Sequence, residues 1–455
     1  MGKKINDKAV LSYVRNHPSG RVKIAYADVD GILRGKYISS SKFISAVEGD
    51  SSFCNVIFGW DNGDVAYDNV QYTGWHTGYP DAPTRIDLST FRKIPWENDI
   101  PFFLGELVEE NDKTSICPRQ LLKRVIRQAH ADGFVPMLTQ EFEWFNFAET
   151  PQSARAKNYR NMEPLSPGMF GYSILRTALN NPFFSDLFDL LTRFNIPIEG
   201  LHTETGPGVL EAAIHHTTGV EAGDRAVLFK TAVKEIALRH GVMATFMAKI
   251  SESLPGCGGH VHQSLMDKSG KKNMFFDGND KQKMSAVMRH YLAGQLHCLP
   301  YLLPLYAPTI NSYKRLVEGA WAPTTRTWGI DNRTVAVRVI NGSRSACRME
   351  TRVIGADANP YLAMAAAVGS GLYGIRKKLK LKQPATIGNG YADFTHGVLP
   401  GTLEDATRHM KDSPLAAEML GKGFVDHFVH TREWEWRQHL KPVTDWEMKR
   451  YFEII

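Results

Sequence analysis

The sequence has few cysteines and no uninterrupted apolar stretch long enough to cross a membrane. Its 455 residues include five cysteines, widely spaced and without a CxxC pair, which favours reduced thiols. The most apolar stretch, LHCLPYLLPLYAPTI, is broken by Pro300, Pro304 and Pro308. The opening residues, MGKKINDKAV, lack the apolar core of a signal peptide. We therefore expect a cytoplasmic protein that neither enters a membrane nor depends on disulfides.

The sequence also lacks a strong excess of charge and the short motifs of several common enzyme classes. Its 54 basic and 48 acidic residues give a net charge of +6 without a basic tail, so nucleic acid is not an expected partner. No GxxxxGK[ST], HExxH or GxSxG segment occurs. A GxGxxG match at residues 369–374 follows an Ala-rich predicted helix instead of a strand, so it does not predict dinucleotide binding.

The pattern of apolar residues predicts an α+β protein with two domains. Residues 22–26 and 33–38 are predicted as a hairpin within a small, strand-rich N-terminal domain, residues 1–112. The remainder, residues 113–455, alternates helices with strands. Its predicted elements are a strand at 135–147 and helices at 121–131, 185–195, 227–240, 283–299 and 359–374.

Two glutamates interrupt the predicted strand at 135–147. Glu141 and Glu143 are two residues apart, which on a strand directs both carboxylates to one face. A bare pair repels, and glutamate is depleted in strands, so an exposed face is the plain alternative. Phe142 and Trp144 lie between and beside them and disfavour full exposure. We interpret the pair as candidates for metal binding or acid–base chemistry.

Three further segments carry polar residues in suggestive patterns. Residues 199–211 place three glutamates and His202 around a Gly-Pro-Gly turn, which alone fits a solvated loop better. His260 and His262, two apart after a glycine-rich turn, indicate a ligand site. Five of the arginines in residues 315–352 are interleaved with β-branched residues, which favours a half-buried anion site over surface ion pairs; they are Arg315, Arg333, Arg338, Arg348 and Arg352.

Together these segments supply oxygen ligands, imidazoles and guanidiniums. Carboxylates with little sulfur select Mg²⁺ or Mn²⁺ rather than zinc. Divalent cations and arginines neutralise the charge that develops during phosphoryl transfer. The residues therefore indicate a nucleotide-dependent ligase or phosphotransferase.

The segments in this order resemble the glutamine synthetase family, in its prokaryotic class I form, over nearly the whole chain. The Glu-x-Glu strand at 141–143 is joined by HVHQS at 260–264, NSYKRLV at 311–317, NR at 332–333, ETR at 350–352 and ANPYL at 358–362. The opening DVDGILRGK at 28–36 is more similar to the amine-ligase branch of that family than to its ammonia-using members.

The resemblance implies a small N-terminal β-grasp domain and a large C-terminal glutamine-synthetase-type α/β catalytic domain. It also implies homo-oligomers of hexameric rings, as hexamers or dodecamers, with active sites between neighbouring subunits. Two or three Mg²⁺ or Mn²⁺ ions per site and ATP as cosubstrate are implied as well. The implied ligands of the first metal ion are Glu143, Glu204 and Glu211, and those of the second are Glu141, His260 and Glu350.

The substrate-binding residues follow from the same resemblance. Glutamate is expected at Gly256, Arg315 and Arg352. Arg333 is expected on the phosphoryl group in transfer. The expected ATP-binding residues are Glu199, His262, Ser264, Arg338 and Arg348. In the implied reaction the γ-carboxylate of glutamate attacks the γ-phosphate of ATP, and an amine then displaces phosphate from the acyl phosphate.

The sequence departs from ammonia-using relatives at two positions. Trp321 stands where they carry a glutamate that holds ammonium, and Cys54 stands where they carry an aspartate. Neither side chain offers the negative charge that ammonium needs, whereas tryptophan offers a large apolar face. Our hypothesis is therefore a γ-glutamylamide synthetase for an apolar or aromatic monoamine. A γ-glutamylpolyamine synthetase, an ammonia-using glutamine synthetase and a catalytically inactive structural or regulatory homologue are the alternatives.

Overall fold

The computed structural model describes residues 6–109, 111 and 115–455. Its N-terminal part is a sheet of strand order β2-β1-β6-β4-β3, with β5 paired to β6. The strands are β1 (Arg21–Ala27), β2 (Leu33–Ser39), β3 (Ser51–Cys54), β4 (Asp81–Ile86), β5 (Arg92–Ile94) and β6 (Ile100–Leu107), and the helices are α1 (Asp7–Asn16) and α2 (Ser40–Glu48). The predicted boundary between residues 112 and 113 lies outside the described residues.

The predicted hairpin at residues 22–38 is confirmed. β1 and β2 pair antiparallel, and Asp28 closes the turn because its Oδ1 accepts hydrogen bonds from the backbone N–H of Asp30 and Ile32. Gly31 has φ +79°, a conformation that glycine adopts without strain. β1 also pairs in parallel with β6, and Phe43 of α2 packs on Phe103 of β6. A hairpin, a helix on the sheet and a parallel central pair are the arrangement expected of a β-grasp domain.

The C-terminal part contains a larger, mixed sheet of strand order β13-β14-β15-β12-β7-β9-β8, with β10 and β11 also paired to β7. Its strands are β7 (Phe134–Phe147), β8 (Ile198–Thr203), β9 (Val209–Ile214), β10 (Thr217–Thr218), β11 (Met243–Thr245), β12 (Gly259–Asp267), β13 (Trp328–Ile330), β14 (Val337–Ile340) and β15 (Arg348–Thr351). Its helices are α3 (Pro118–Ala131), α4 (Pro151–Ala156), α5 (Ile174–Leu179), α6 (Asn181–Arg193), α7 (Val220–Arg239), α8 (Ala286–Tyr306), α9 (Ser312–Arg315), α10 (Pro360–Arg376), α11 (Leu403–Asp412), α12 (Pro414–Leu420), α13 (Lys422–His439) and α14 (Asp445–Tyr451).

The two faces of this sheet differ in polarity because side chains alternate along each strand. On β7, Leu138, Phe142 and Trp144 are fully buried under helices α3, α7 and α10. The rings of Phe142 and Trp144 contact that of Phe229 on α7. Burial of three large side chains, at about 1.5–3 kcal/mol each, fixes which face of β7 points inward. The intervening polar residues must therefore share the opposite face.

The glycines of the GxGxxG match serve helix packing. Residues 369–374 lie inside α10, as predicted, and not at a strand-to-helix turn. A Cβ on Gly371 would lie 2.2 Å from the ring of Tyr291, and one on Gly374 would lie 2.1 Å from the carbonyl oxygen of His290. Small residues let the two helices α8 and α10 pack backbone to backbone, so the motif has a structural reason.

Several predicted helices are longer than their patterns indicate. α7 begins at Val220, seven residues before the prediction, and α6 begins at Asn181. α8 continues through Pro300 and Pro304 to Tyr306, where the prediction ended it at residue 299. Fourteen of its residues are buried, so tertiary packing outweighs the backbone hydrogen bonds that the two prolines remove. Within the described residues, no helix is both apolar enough and long enough to traverse a bilayer.

A buried network of charged residues joins the N-terminal part to the catalytic part. Arg119 of α3 donates hydrogen bonds to Glu106 of β6 and to Asp87, both in the N-terminal part, and to Asp224 of α7. Its side chain is 4% exposed. One guanidinium thus bridges three carboxylates, of which Glu106 and Asp224 are buried, and Lys123 adds a second positive charge beside Asp87 and Glu106.

We predict that Arg119→Met destabilises the protein by about 3–5 kcal/mol, because it leaves buried carboxylates without their partner. Arg408→Met is the matched control, since it removes an arginine from an exposed ion pair with Asp405 and should cost less than about 1 kcal/mol. Urea unfolding of both variants measures the difference. Equal midpoints for the two variants would show that the buried network does not hold the two parts together.

Candidate functional site

The strand register gathers most of the predicted site residues on one face of the larger sheet. Residues directly opposite each other on paired strands point to the same side. Moving across the sheet, these opposed pairs are Arg338 and Glu350, Glu350 and His262, His260 and Glu141, Glu143 and Glu211, and Glu211 and His202. Six strands that are distant in sequence therefore contribute to one polar surface.

One end of this surface is a cluster of glutamates with little compensating charge. Glu143 and Glu211 face each other, and His202 Nε2 lies 3.3 Å from Glu204 and 3.5 Å from Glu211. Burial, together with the charges of Glu141 and Glu143, raises the pKa of Glu211 to about 10. Carboxylates that repel each other this strongly form a favourable site for a divalent cation.

The second cluster is organised around His260. Its Nδ1 lies 3.3 Å from Glu141 and 3.2 Å from Glu350, while its Nε2 faces the guanidinium of Arg315 at 3.4 Å. A guanidinium can only donate, so Nε2 accepts and Nδ1 carries the proton that the two carboxylates share. Burial disfavours both charged forms, yet these contacts raise the pKa of His260 and hold that of Glu350 well below its usual range. The shared proton occupies the place that a cation would take.

These donors suit hard divalent cations. Ligand atoms of Glu141, His262 and Glu350 lie within 4.8 Å of one another, as do those of His202, Glu204 and Glu211. Such oxygen-rich sets with single imidazoles match Mg²⁺ or Mn²⁺. Four of the six predicted metal ligands, Glu141, Glu204, Glu211 and Glu350, belong to these sets. The imidazoles in them are His262 and His202, while the predicted His260 and Glu143 lie on the same sheet face beside them. The assignment of ligands to each ion remains a prediction.

The expected glutamate-binding residues lie beside the second cluster. Arg315 is buried at the end of α9, where it donates to the carbonyl oxygens of Val353 and Arg352. Arg352 pairs with Glu350. A Cβ on Gly256 would lie 2.6 Å from the carbonyl oxygen of Ala248 and 2.7 Å from Arg315 Cγ, so only glycine lets the backbone approach the Arg315 side chain this closely. Two guanidiniums near an open backbone amide suit an amino-acid carboxylate.

A cavity of about 740 Å³ opens on the other side of Glu141. Four of the five residues predicted to bind ATP line it, namely Glu199, His262, Ser264 and Arg348. Arg348 Nε donates to His262 Nδ1 at 3.2 Å, and His262 Nε2, which makes no hydrogen bond, lies 3.7 Å from Glu141 Oε2. The guanidinium of Arg348 suits an anionic ligand in the cavity.

The other four predicted residues do not line this cavity. Arg338 does not line the cavity; it pairs with Asp331 and, at 2.9 Å, with Glu350. Arg333 is exposed on the link between β13 and β14, and its carbonyl oxygen accepts from Arg352 Nε. Trp321, 60% exposed and with φ +57°, lies on the link between α9 and β13. Cys54 ends β3 in the N-terminal part, where its thiol contacts the carbonyl oxygen of Tyr79.

Several residues without a predicted role also lie at the site. The ring of Tyr172 stacks on His202, with centroids 4.3 Å apart, and so covers the first carboxylate cluster. Lys271 and Arg344 line the cavity and add positive charge to its wall. Tyr172 has φ +56°, unusual for a non-glycine residue, but no motif in the sequence marks this strain.

Comparison with known proteins gives consistent matches along the chain. The family model for the glutamine synthetase catalytic domain matches residues 115–451. The chain is 53% identical to type-1 glutamine synthetase 2 of Dictyostelium discoideum, over 98% of this chain and 86% of that protein. It is 34% identical to the glutamate–isopropylamine ligase of a Pseudomonas species, over 99% of both. A solved structure of a GmaS/ADP complex matches with a TM-score of 0.83 and 25% identity, covering 97% of this chain and 99% of that one. The predicted fold class is confirmed.

We predict that Mg²⁺ or Mn²⁺ binding releases protons at pH 8. Without metal, Glu211 keeps its proton up to about pH 10 in the folded protein, whereas the unfolded carboxyl loses it near 4.5. The unfolded chain therefore binds fewer protons across this window, and the metal-free protein loses stability as pH rises through it. A cation replaces the proton and opposes this loss.

Calorimetric metal titrations in buffers of different ionisation enthalpy measure the protons released. Glu211→Gln should release about one proton fewer per site, because an amide cannot lose one. Glu404→Gln, at an exposed position in α11, is the control and should match the wild type. Metal binding without any proton release from the wild-type protein would contradict the raised pKa of Glu211.

Proposed function

The chain belongs to the glutamine synthetase family, and from this premise we propose that it is an ATP-dependent ligase that joins the γ-carboxylate of glutamate to an organic amine. The products are a γ-glutamylamide, ADP and phosphate, by way of a γ-glutamyl phosphate. The observation that carries the proposal is the shared sheet face, on which carboxylates, imidazoles and arginines from six strands meet between the buried Arg315 and Arg352 and the cavity of about 740 Å³.

The first step must bring a carboxylate and a triphosphate together although both are negatively charged. Arg315 and Arg352 hold the glutamate, while Arg348 and Ser264 hold the nucleotide on the far side of Glu141. Divalent cations at the two glutamate clusters would screen the remaining repulsion and polarise the γ-phosphate. Arg333, which is exposed on the link between β13 and β14, would neutralise the phosphoryl group in transfer. His260 orients Arg315, and Glu350 orients Arg352, through their hydrogen bonds.

The second step needs a pocket for the attacking amine, and we propose an apolar or aromatic monoamine. Trp321 offers an exposed indole face six residues after Arg315, and Tyr172 covers the carboxylates from another direction. A neutral amine nitrogen must reach the acyl phosphate, and an apolar wall favours that form over an ammonium ion. The similarity to a glutamate–isopropylamine ligase agrees with a small organic acceptor.

We further propose that neighbouring subunits of a hexameric ring, single or stacked as a dodecamer, complete this pocket. In support, Cys54 contacts Tyr79 within its own N-terminal part, while Trp321 stands on the catalytic part. A neighbour's N-terminal domain can cover the exposed indole where the chain's own does not. The expected location of the enzyme remains the cytoplasm, consistent with the free state of all five cysteines.

Phosphate release tests the proposed reaction. The purified protein is incubated with Mg²⁺, ATP and glutamate, and with ammonium, an alkyl monoamine, an aromatic monoamine or a polyamine. We expect the monoamines to give the highest kcat/KM. Ammonium as the best acceptor would instead support a glutamine synthetase, the activity named for the 53% identical relative. Failure to cleave ATP with any acceptor would support an inactive homologue.

We predict that Trp321→Glu lowers kcat/KM for the preferred monoamine by about 10–100-fold, since lost burial against the indole costs about 1.5–3 kcal/mol. The added carboxylate should at the same time raise kcat/KM for ammonium. Trp321→Phe keeps an aromatic face and serves as the matched control, with a change of less than about tenfold. Unchanged amine kinetics in Trp321→Glu would show that Trp321 is not part of the acceptor pocket. The KM for glutamate should stay the same in both variants.

A further inference from the structure

A cluster of two imidazoles and a carboxylate lies outside the two glutamate clusters. Glu199 stands near the start of β8, and His215 and His216 connect β9 to β10. His216 Nδ1 lies 3.2 Å from Glu199 Oε1, and His215 Nε2 lies 3.8 Å from the same oxygen. All three side chains are about half exposed, so a solvated ion can reach them. Their ligand atoms lie within 4.8 Å of one another.

The backbone places Glu199 in this cluster through a β-bulge. β8 and β9 pair in register at Ile198 and Ile214 and again at Gly200 and Ala213, so Glu199 is the extra residue. A bulge redirects the side chain of its extra residue away from the regular alternation. Glu199 therefore meets the two histidines that follow β9.

A hydrogen bond prepares His215 to bind a metal ion. Its Nδ1 lies 2.9 Å from the carbonyl oxygen of His216, which can only accept. Nδ1 therefore carries the proton and Nε2 presents its lone pair toward Glu199. Arg225 donates to the carbonyl oxygen of His215 at 3.2 Å and so fixes the backbone, while Glu221 neutralises that guanidinium at 2.9 Å. A backbone acceptor on the far nitrogen is the usual support of a metal-binding imidazole.

We infer that Glu199, His215 and His216 bind one divalent transition-metal ion of the zinc type. Two imidazoles and one carboxylate are a common zinc ligand set, and water completes the tetrahedron. Imidazole favours such ions over Mg²⁺, which prefers oxygen. The site is thus chemically distinct from the two glutamate clusters.

Occupation of this site affects the nucleotide cavity, a consequence that rests on the proposed function. Glu199 and His216 line that cavity, whereas His215 does not. A bound zinc ion withdraws the Glu199 carboxylate from the nucleotide and narrows the entrance. Zinc bound at this site therefore competes with ATP.

His215→Ala tests the inference because it removes one ligand and leaves the lining of the cavity in place. The Mg²⁺-saturated protein is dialysed against Zn²⁺, and bound zinc is measured by elemental analysis; Co²⁺ is used in parallel for its visible absorption. We expect one high-affinity zinc ion fewer per chain than in the wild type, with affinity at this site reduced by more than about tenfold. His439→Ala, an exposed histidine in α13, is the control and should bind zinc like the wild type.

Initial rates at several ATP concentrations provide the second measurement. Zinc should raise the KM for ATP in the wild type and in His439→Ala, and this increase should be more than about tenfold weaker in His215→Ala. Equal zinc binding by His215→Ala and the wild type overturns the metal site. If His215→Ala binds one zinc ion fewer but is inhibited by zinc as strongly as the wild type, the metal site stands and the competition with ATP is overturned. Dialysis needs no turnover, so it tests the site even if the proposed ligase activity fails.

Discussion

Repulsion among carboxylates held on one sheet face is the constraint around which the catalytic part is built. Glu141, Glu143, Glu211 and Glu350 stand on three strands of one sheet, β7, β9 and β15, too near one another to ionise independently. Strands keep them there because the alternate residues of β7 are large, buried and apolar. A one-residue slip would bury the glutamates and expose Phe142 and Trp144, at a cost far above the repulsion. Burial of the apolar face of the sheet thus stabilises a strand register in which the carboxylates on the polar face repel one another.

Basic side chains offset this repulsion at one end of the sheet face but much less at the other, and this difference matters for the chemistry. Glu350 has Arg338, Arg352 and His260 as partners and remains ionised without metal. Glu211 faces other carboxylates, and within the described part of the chain its ion pair is with His202; its pKa is raised to about 10. One end of the face is therefore preorganised, while the other depends on added cations. Preorganised charge suits the orientation of substrates, and undercompensated charge suits tight binding of a metal ion.

The sequence contains the local part of this arrangement but not the pairing that completes it. The spacing of Glu141 and Glu143, and of His260 and His262, predicts two residues per face once strands are assumed, and β7 and β12 confirm those strands. That β12 pairs with β7, and that Glu143 faces Glu211, depends on contacts between residues far apart in the chain, which periodicity does not encode. That these residues meet was predicted from the resemblance to the glutamine synthetase family and not from periodicity. Tyr172, Lys271 and Arg344 had no such support and were identified only through their positions in the structure.

The ends of the helices could not be predicted from the sequence, for a different physical reason. The two prolines of α8 lower its helix propensity, and on the sequence alone they indicate an end near residue 299. In the fold, α8 packs on α10 at Gly294 and Gly374, where only glycine allows the backbones to meet. The energy of that long contact depends on both helices, so neither sequence window contains it. The same contact accounts for Gly371 and Gly374, two of the three glycines in a motif typical of dinucleotide binding that here lies inside a buried helix. Packing between helices and ligand binding can both select glycine, and only the element on which the glycine lies distinguishes them.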